Sequence, residues 1–208
     1  TPSGWRMLLE AGWEGSPGLR ILCGGEALPT DLADLLIPKC RELWNLYGPT
    51  ETTIWSAVKK IENTAQPITI GRPIDNTQLY LLNAKLEVPA TGEIGDIYIG
   101  GEGLAREYFN KPELTAKAFV TSPFLERERI YKTGDLGKFT PDGELICLGR
   151  TDQQIKIRGH RVELGAIESE LNKQVGVKES FVVAEERNSG EPGLIAFVVP
   201  DNSLGTYA

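Results

Sequence analysis

Leu19-Arg20-Ile21-Leu22 runs straight into Cys23-Gly24-Gly25, and this junction limits the fold more than any other feature of the sequence. An apolar strand ending in paired glycines brings bare backbone to one sheet edge, where a ligand can approach closely. A helical stretch precedes it around Trp5–Ala11. Another follows from Thr30 to about Cys40, and then a second strand, "LWNLYG". Short alternating units of this kind predict an α/β layer over residues 1–70, with ligands at the strand ends.

The pattern changes after residue 70. "QLYLLN", "GDIYIGG" and "RIYKTGDLGKFTPDGELICLG" are short strands separated by turns, with Asp142-Gly143 as a hairpin signal. "NKPELTAKAF" interrupts them as a short helix, with Asn110 as its cap and Pro112 in its first turn. Residues 71–150 therefore predict a β-rich barrel or sheet. From 151 the strand "QQIKIRG" gives way to a helix over "RVELGAIESELNKQVG", with Leu164, Ile167, Leu171 and Val175 at helical spacing and a stop at Gly176. Strands "SFVVAEE" and "GLIAFVVP" follow, so residues 151–208 predict a small α+β lobe with its boundary at "GRTDQQ".

Charge and rare residues exclude whole classes of function. The net charge of −7 argues against nucleic acid or an anionic membrane as the main partner. No apolar run reaches the roughly 18 residues of a membrane-spanning helix, and no signal peptide opens the sequence. Cys23, Cys40 and Cys147 are far apart and form no Cys-x-x-Cys pair, which suits a reducing cytoplasm. His160 is the single histidine and sits in the basic turn "KIRGHR", so imidazole catalysis and histidine-based metal centres are not expected.

Three polar stretches can carry chemistry. In "YGPTETT", Gly48-Pro49 forces a turn, Thr50, Thr52 and Thr53 offer hydroxyls, and Glu51 offers a carboxylate. Hydroxyls beside a carboxylate suit phosphate oxygens with Mg2+, and Tyr47 offers a face for a base. In "YKTGDLG", Asp135 at a strand end can accept hydrogen bonds from a sugar diol. In "GRTDQQIKIRG", Arg150 can reach phosphate or ribose oxygens. Each taken alone is equally a polar surface turn.

Taken together and in order, the motifs resemble a known family. "NLYGPTE", "GEIGDIYIGGEGLAREYFNKPELTAKAF", "YKTGDL" and "GRTDQQIKIRGHRVELGAIE" are similar to consecutive motifs of adenylate-forming enzymes. The likeness is greatest to the adenylation domains of nonribosomal peptide synthetases, and it covers essentially the whole chain. It implies an α/β fold: part of a large lobe (an α/β layer plus a β-rich barrel subdomain), then a small α+β C-terminal lobe. It also implies activation of a carboxylic acid with ATP and Mg2+, then transfer to the phosphopantetheine thiol of a carrier protein.

By that resemblance, Gly25, Glu26, Ala27, Asn45, Tyr47 and Gly48 line the nucleotide site, with Tyr47 near adenine. Thr50 touches the phosphates, Glu51 holds Mg2+, and Asp135 binds the ribose hydroxyls with help from Arg150. Asp152 is the hinge of the small lobe, and Lys156 and Gly159 belong to a turn that serves the thioester step. Cys147 departs from the family, which commonly carries an aromatic there against the adenine. The family's upstream phosphate loop, its pocket aspartate for an α-amino group and its C-terminal lysine are missing. This chain is therefore expected to be an incomplete part of a longer synthetase polypeptide.

Substrate-reading positions carry over to Leu22, Gly24, Leu46, Ile54 and Trp55. None is charged, so an ionised side chain would lie unpaired at high cost. The set resembles that of glycine-activating domains, and a non-polar acid without an amino group is the alternative. Three other readings stay open: five packed core residues, a ligase using free coenzyme A, and a non-catalytic module that kept the fold.

Overall fold

The computed structural model describes residues 1–90, 92–151, 154–157, 160–186 and 192–201. Compactness divides the chain into two units, Thr1–Thr151 and Asp152–Ala208. Among the described residues no helix is long and apolar enough to cross a membrane.

The first unit opens with α1 (Pro2–Glu10), whose first turn is capped by Thr1 accepting from the Gly4 amide. Strand β1 (Arg20–Gly24) then pairs in parallel with β2 (Glu42–Tyr47). Between them lies α2 (Thr30–Leu36), which ends earlier than the expected Cys40. Pro38 lacks an amide hydrogen and its ring crowds the preceding turn, so the chain tightens into a 3-10 turn over Ile37–Lys39. Strands β3 (Ala57–Ile61) and β4 (Arg72–Pro73) complete an antiparallel extension, giving the order β1-β2-β3-β4. Leu32 and Leu36 of α2 share one buried cluster with Ile21, Cys23 and Leu43 of the sheet, with Trp5, Leu9 and Trp13 packing around them.

The second sheet is antiparallel. It contains β5 (Thr77–Leu82), β6 (Gly95–Gly101), β7 (Phe119–Thr121), β8 (Arg129–Phe139) and β9 (Leu145–Arg150). Strand β8 is 11 residues long and changes partner along one edge. Arg129–Tyr131 pair with β7, whereas Asp135–Phe139 pair with β9. Gly134, at φ 78°, and a register shift between Leu136 and Gly137 mark this changeover. Asp135 therefore opens the segment that pairs with β9, next to Gly134 and in register with Arg150.

Helix α3 (Pro112–Ala118) precedes β7 and begins at Lys111 without a side-chain cap. Asn110, the expected cap, instead adopts a left-handed turn at φ 55°, a conformation asparagine tolerates better than most residues. The two sheets are stitched together at Gly71, where a Cβ would lie 2.1 Å from Val58 O and only glycine fits. Ile70 N donates to Leu145 O, Leu145 N donates to Gly71 O, and Asn45 Nδ2 donates to Thr69 O.

In the second unit β10 (Gln154–Ile157) pairs with β11 (His160–Glu163). Arg161–Glu163 are thus strand, not the start of the expected helix, because they complete this hairpin. Helix α4 (Leu164–Leu171) is shorter than expected. Val175 is 92% exposed, so the apolar spacing that extended the helix to Gly176 reports no buried face. Strands β12 (Val177–Glu186) and β13 (Pro192–Pro200) form the second antiparallel pair. Glu168 of α4 binds that hairpin, its Oε1 accepting from Val182 N at 2.8 Å. Asp152 and Gly159, the expected hinge and thioester-step residues, lie outside the described residues; Lys156 is on β10.

Candidate nucleotide and acid site

The loop that leaves β2 folds back on itself before β3. Ser56 N donates to Tyr47 O at 2.8 Å, closing the loop at its base. A Cβ on Gly48 would lie 2.4 Å from Ile54 O, so the crossing requires glycine. Thr50–Thr52 form one 3-10 turn, and Thr52 is buried with its Oγ1 2.6 Å from Ser56 Oγ. Thr53 and Ile54 follow at φ 60° and 73°, two successive left-handed residues, both of them β-branched. Such backbone persists only where surrounding contacts enforce it, and it clusters at ligand sites.

Three sequence-predicted residues meet at the base of this loop. Tyr47 Oη donates to Asp135 Oδ2 at 2.5 Å, and Arg150 Nη1 donates to Asp135 Oδ1 at 2.9 Å and to Thr133 O at 3.0 Å. Asp135 N donates in turn to Thr133 Oγ1, which fixes the carboxylate's backbone. Burial, reinforced by the Asp135 charge, holds the Tyr47 phenol well above its ordinary pKa, so it remains a donor. A carboxylate steadied by an arginine, beside an aromatic ring, can receive a ribose diol under a purine.

Glu51 sits deeper, only 6% exposed, with Oε1 accepting from Tyr108 Oη at 2.5 Å. Thr50 lies beside it on the exposed side of the turn. Among the described residues no three His, Cys, Asp or Glu side chains gather into a metal cluster. One carboxylate with neighbouring hydroxyls fits a Mg2+ that arrives on phosphates and keeps most of its oxygens from them and from water.

The remaining expected site residues divide. Glu26 Oε2 accepts from Ser3 N and Ser3 Oγ, placing its charge at the N-terminus of α1, where the helix dipole favours it. Ala27 is exposed, and Gly25 adopts φ 91° beside Thr1. Asn45 is buried and its amide serves the fold through Thr69 O. Leu22, Gly24 and Leu46 share the sheet face opposite α2, since Leu22 pairs with Trp44 and Gly24 with Leu46. Trp55 lies directly over Gly24: a Cβ there would be 2.6 Å from the indole Cζ3. Leu46 is buried, but Leu22, Ile54 and Trp55 are 60, 58 and 37% exposed, so these three are not packed core. Sequence alone gave no sign of Tyr108, because its hydroxyl reaches Glu51 only through the folding of the segment after β6.

The fold is that of the adenylate-forming enzymes. The AMP-binding enzyme family matches residues 1–109, and the chain belongs to it. It is 44% identical over 208 residues to a dimodular nonribosomal peptide synthase of Bacillus subtilis (strain 168), covering 99% of this chain and 9% of that relative. Among solved structures it is similar to a four-domain nonribosomal peptide synthetase, holo-AB3403, bound to AMP and glycine. That match has 44% identity and TM-score 0.70, over 96% of this chain and 15% of that one. It is also similar to the Vibrio cholerae adenylation domain AlmE in complex with glycyl-adenosine-5'-phosphate. There the identity is 29% and the TM-score 0.83, over 95% of this chain and 40% of that one.

Proposed function

We propose that the polypeptide carrying this chain joins a small carboxylic acid to AMP and passes the acyl group to the phosphopantetheine thiol of a carrier protein. The observation that carries this reading is the meeting of Tyr47, Asp135 and Arg150 at the base of the Thr50–Thr52 loop. It supplies a base-facing ring, a diol-binding carboxylate and a phosphate-facing turn from adjoining elements.

In the first step a carboxylate oxygen of the acid attacks the α-phosphorus of ATP. A new oxygen–phosphorus bond forms, and the bond to the leaving pyrophosphate breaks. The acid is already ionised at neutral pH, so no general base is required, and positioning with charge neutralisation supplies the catalysis. Thr50 contacts the phosphates, Glu51 orients the Mg2+ that enters with ATP, and Asp135 with Arg150 fixes the ribose. In the second step the thiol sulfur attacks the acyl carbon and AMP leaves.

Glycine is the acid this reading favours. Trp55 over Gly24 fills the space at the strand ends, and no charged side chain is among the five pocket positions. The glycine and glycyl-adenylate in the two similar structures support the same choice. Residues 1–70 and 71–150 act as the α/β and β-rich parts of the large lobe, and residues 151–208 as part of the small lobe that turns about Asp152. Lys156 and Gly159 serve the thioester step, and the reaction runs in the cytoplasm. Acid-dependent exchange of pyrophosphate into ATP by the full polypeptide tests the proposal. Exchange with glycine is expected, and none with any acid of a panel that includes arylalkanoic acids would overturn it.

A further inference from the structure

The two left-handed residues Thr53 and Ile54 do not hold themselves, and residues 101–108 are what grips their loop. Ala105 N donates to Glu51 O at 2.8 Å, and Thr53 Oγ1 donates to Gly103 O at 2.7 Å. The backbones run so close that a Cβ on Gly103 would lie 2.9 Å from Thr52 O. The grip is braced from behind by Arg129 of β8, which donates to Arg106 O at 2.8 Å and to Ala105 O at 3.3 Å.

Tyr108 closes this segment, and its ring has two fixed ends. The face packs edge-on against Phe119 of β7, centroids 5.7 Å apart, and the hydroxyl reaches Glu51 Oε1. Phe119 is itself held beneath the Arg129 guanidinium, 5.4 Å from its ring centre. We propose that Tyr108 is a positioning residue for the Glu51 carboxylate, presenting it to the cation carried by the nucleotide. Tyr108 acts through Glu51, holding one oxygen of that buried carboxylate so that it keeps one orientation. Partners of this kind fix the direction and the basicity of a metal ligand. The inference rests on the reading of Glu51 as the cation-facing carboxylate.

The test measures pyrophosphate exchange by the full polypeptide at saturating ATP and acid while free Mg2+ is varied. Tyr108→Phe removes one oxygen and keeps the ring on Phe119. It should raise the Mg2+ concentration for half-maximal rate by about tenfold while leaving metal-free AMP binding unchanged. Phe119→Leu loosens the ring but keeps the hydroxyl, and should leave the Mg2+ dependence as in the wild type. Thermal unfolding is followed for both variants. Unaltered Mg2+ dependence in Tyr108→Phe, alongside its loss in Glu51→Gln, overturns the positioning role and leaves the site assignment standing. Equal shifts in Tyr108→Phe and Phe119→Leu overturn it as well, since packing alone would then explain both. Wild-type Mg2+ dependence in Glu51→Gln removes the cation assignment of Glu51 and the inference with it.

Discussion

Tyr47 and Asp135 lie 88 residues apart in sequence, and the phenol of one donates to the carboxylate of the other at 2.5 Å. Arg150 takes the second carboxylate oxygen. Under the proposed reading, a ribose diol at Asp135 would share or replace the Tyr47 hydrogen bond, while the arginine keeps the carboxylate in place. Asp135→Ala should weaken ATP binding by about 2–3 kcal/mol, the worth of charge-assisted hydrogen bonds, or roughly 30- to 150-fold. ATP lacking both ribose hydroxyls should bind wild type and variant alike. Calorimetric titration of the four combinations checks this, and a full Asp135→Ala penalty retained with the dideoxy nucleotide would refute the ribose assignment.

Under the proposed reading, Trp55, which lies over Gly24, sets the size of the acid pocket. Trp55→Ala should shift pyrophosphate exchange from glycine toward bulkier aliphatic acids. Gly24→Ala must push against both Leu46 O and the indole, each 2.6 Å from the new carbon. Overpacking of this sort costs about 1–3 kcal/mol, readable as a lower denaturant midpoint with an unchanged slope.

Ile54 carries strain on an exposed side chain, at φ 73°. Ile54→Gly should stabilise the fold by about 1 kcal/mol, because glycine adopts this backbone without a steric penalty. If Ile54 is a wall of the proposed acid pocket, the same change should raise KM for the acid while that for ATP holds. Chemical denaturation and steady-state kinetics on one preparation report both effects.

Glu144 links the two sheets through Lys59 Nζ and Thr69 Oγ1. The Lys59 hydrogen bond, more than the one from Thr69, holds its carboxyl below the ordinary value of 4.5. The folded pKa is depressed, so the stabilisation is complete above 4.5 and fades as pH falls through the folded value. Glu144→Gln should cost about 1 kcal/mol at neutral pH. The gap between wild type and variant should close as pH falls below the ordinary value of 4.5, as pH-dependent denaturation would show.

Cys23 lies in the core under α2, and burial pushes its thiol up to about 11. At pH 8 only about one molecule in a thousand carries the thiolate. Cys23 should therefore resist iodoacetamide until the protein is unfolded, while the partly exposed Cys147 reacts in the native state. Peptide mapping of the labelled protein distinguishes the two.

What the sequence made legible follows from local chemistry. "LRILCGG" declared a strand with an open glycine end, and Asp142-Gly143 declared the hairpin between β8 and β9. Order and spacing of "NLYGPTE", "YKTGDL" and "GRTDQQ" were enough to nominate Tyr47, Glu51, Asp135 and Arg150. Local signals failed where a distant partner decided the outcome. Arg161–Glu163 read as helix, yet they are strand because β10 offers an open edge. Apolar spacing carried α4 on to Val175, but nothing packs there and the helix stops at Leu171.

The sequence by itself thus determined which elements form and which polar residues stand at their ends, because propensity, turn chemistry and motif spacing act within a few residues. Only the tertiary structure decided which distant partners those residues meet. Long-range hydrogen bonds join Asn45 to Thr69 and Glu26 to the start of α1. The sequence reading assigned Tyr108 no role, and the approach of residues 101–108 to the strained loop sets its hydroxyl on Glu51. A hydrogen bond of 2.5 Å between residues 57 positions apart depends on the path of the whole intervening chain, and no local pattern encodes it.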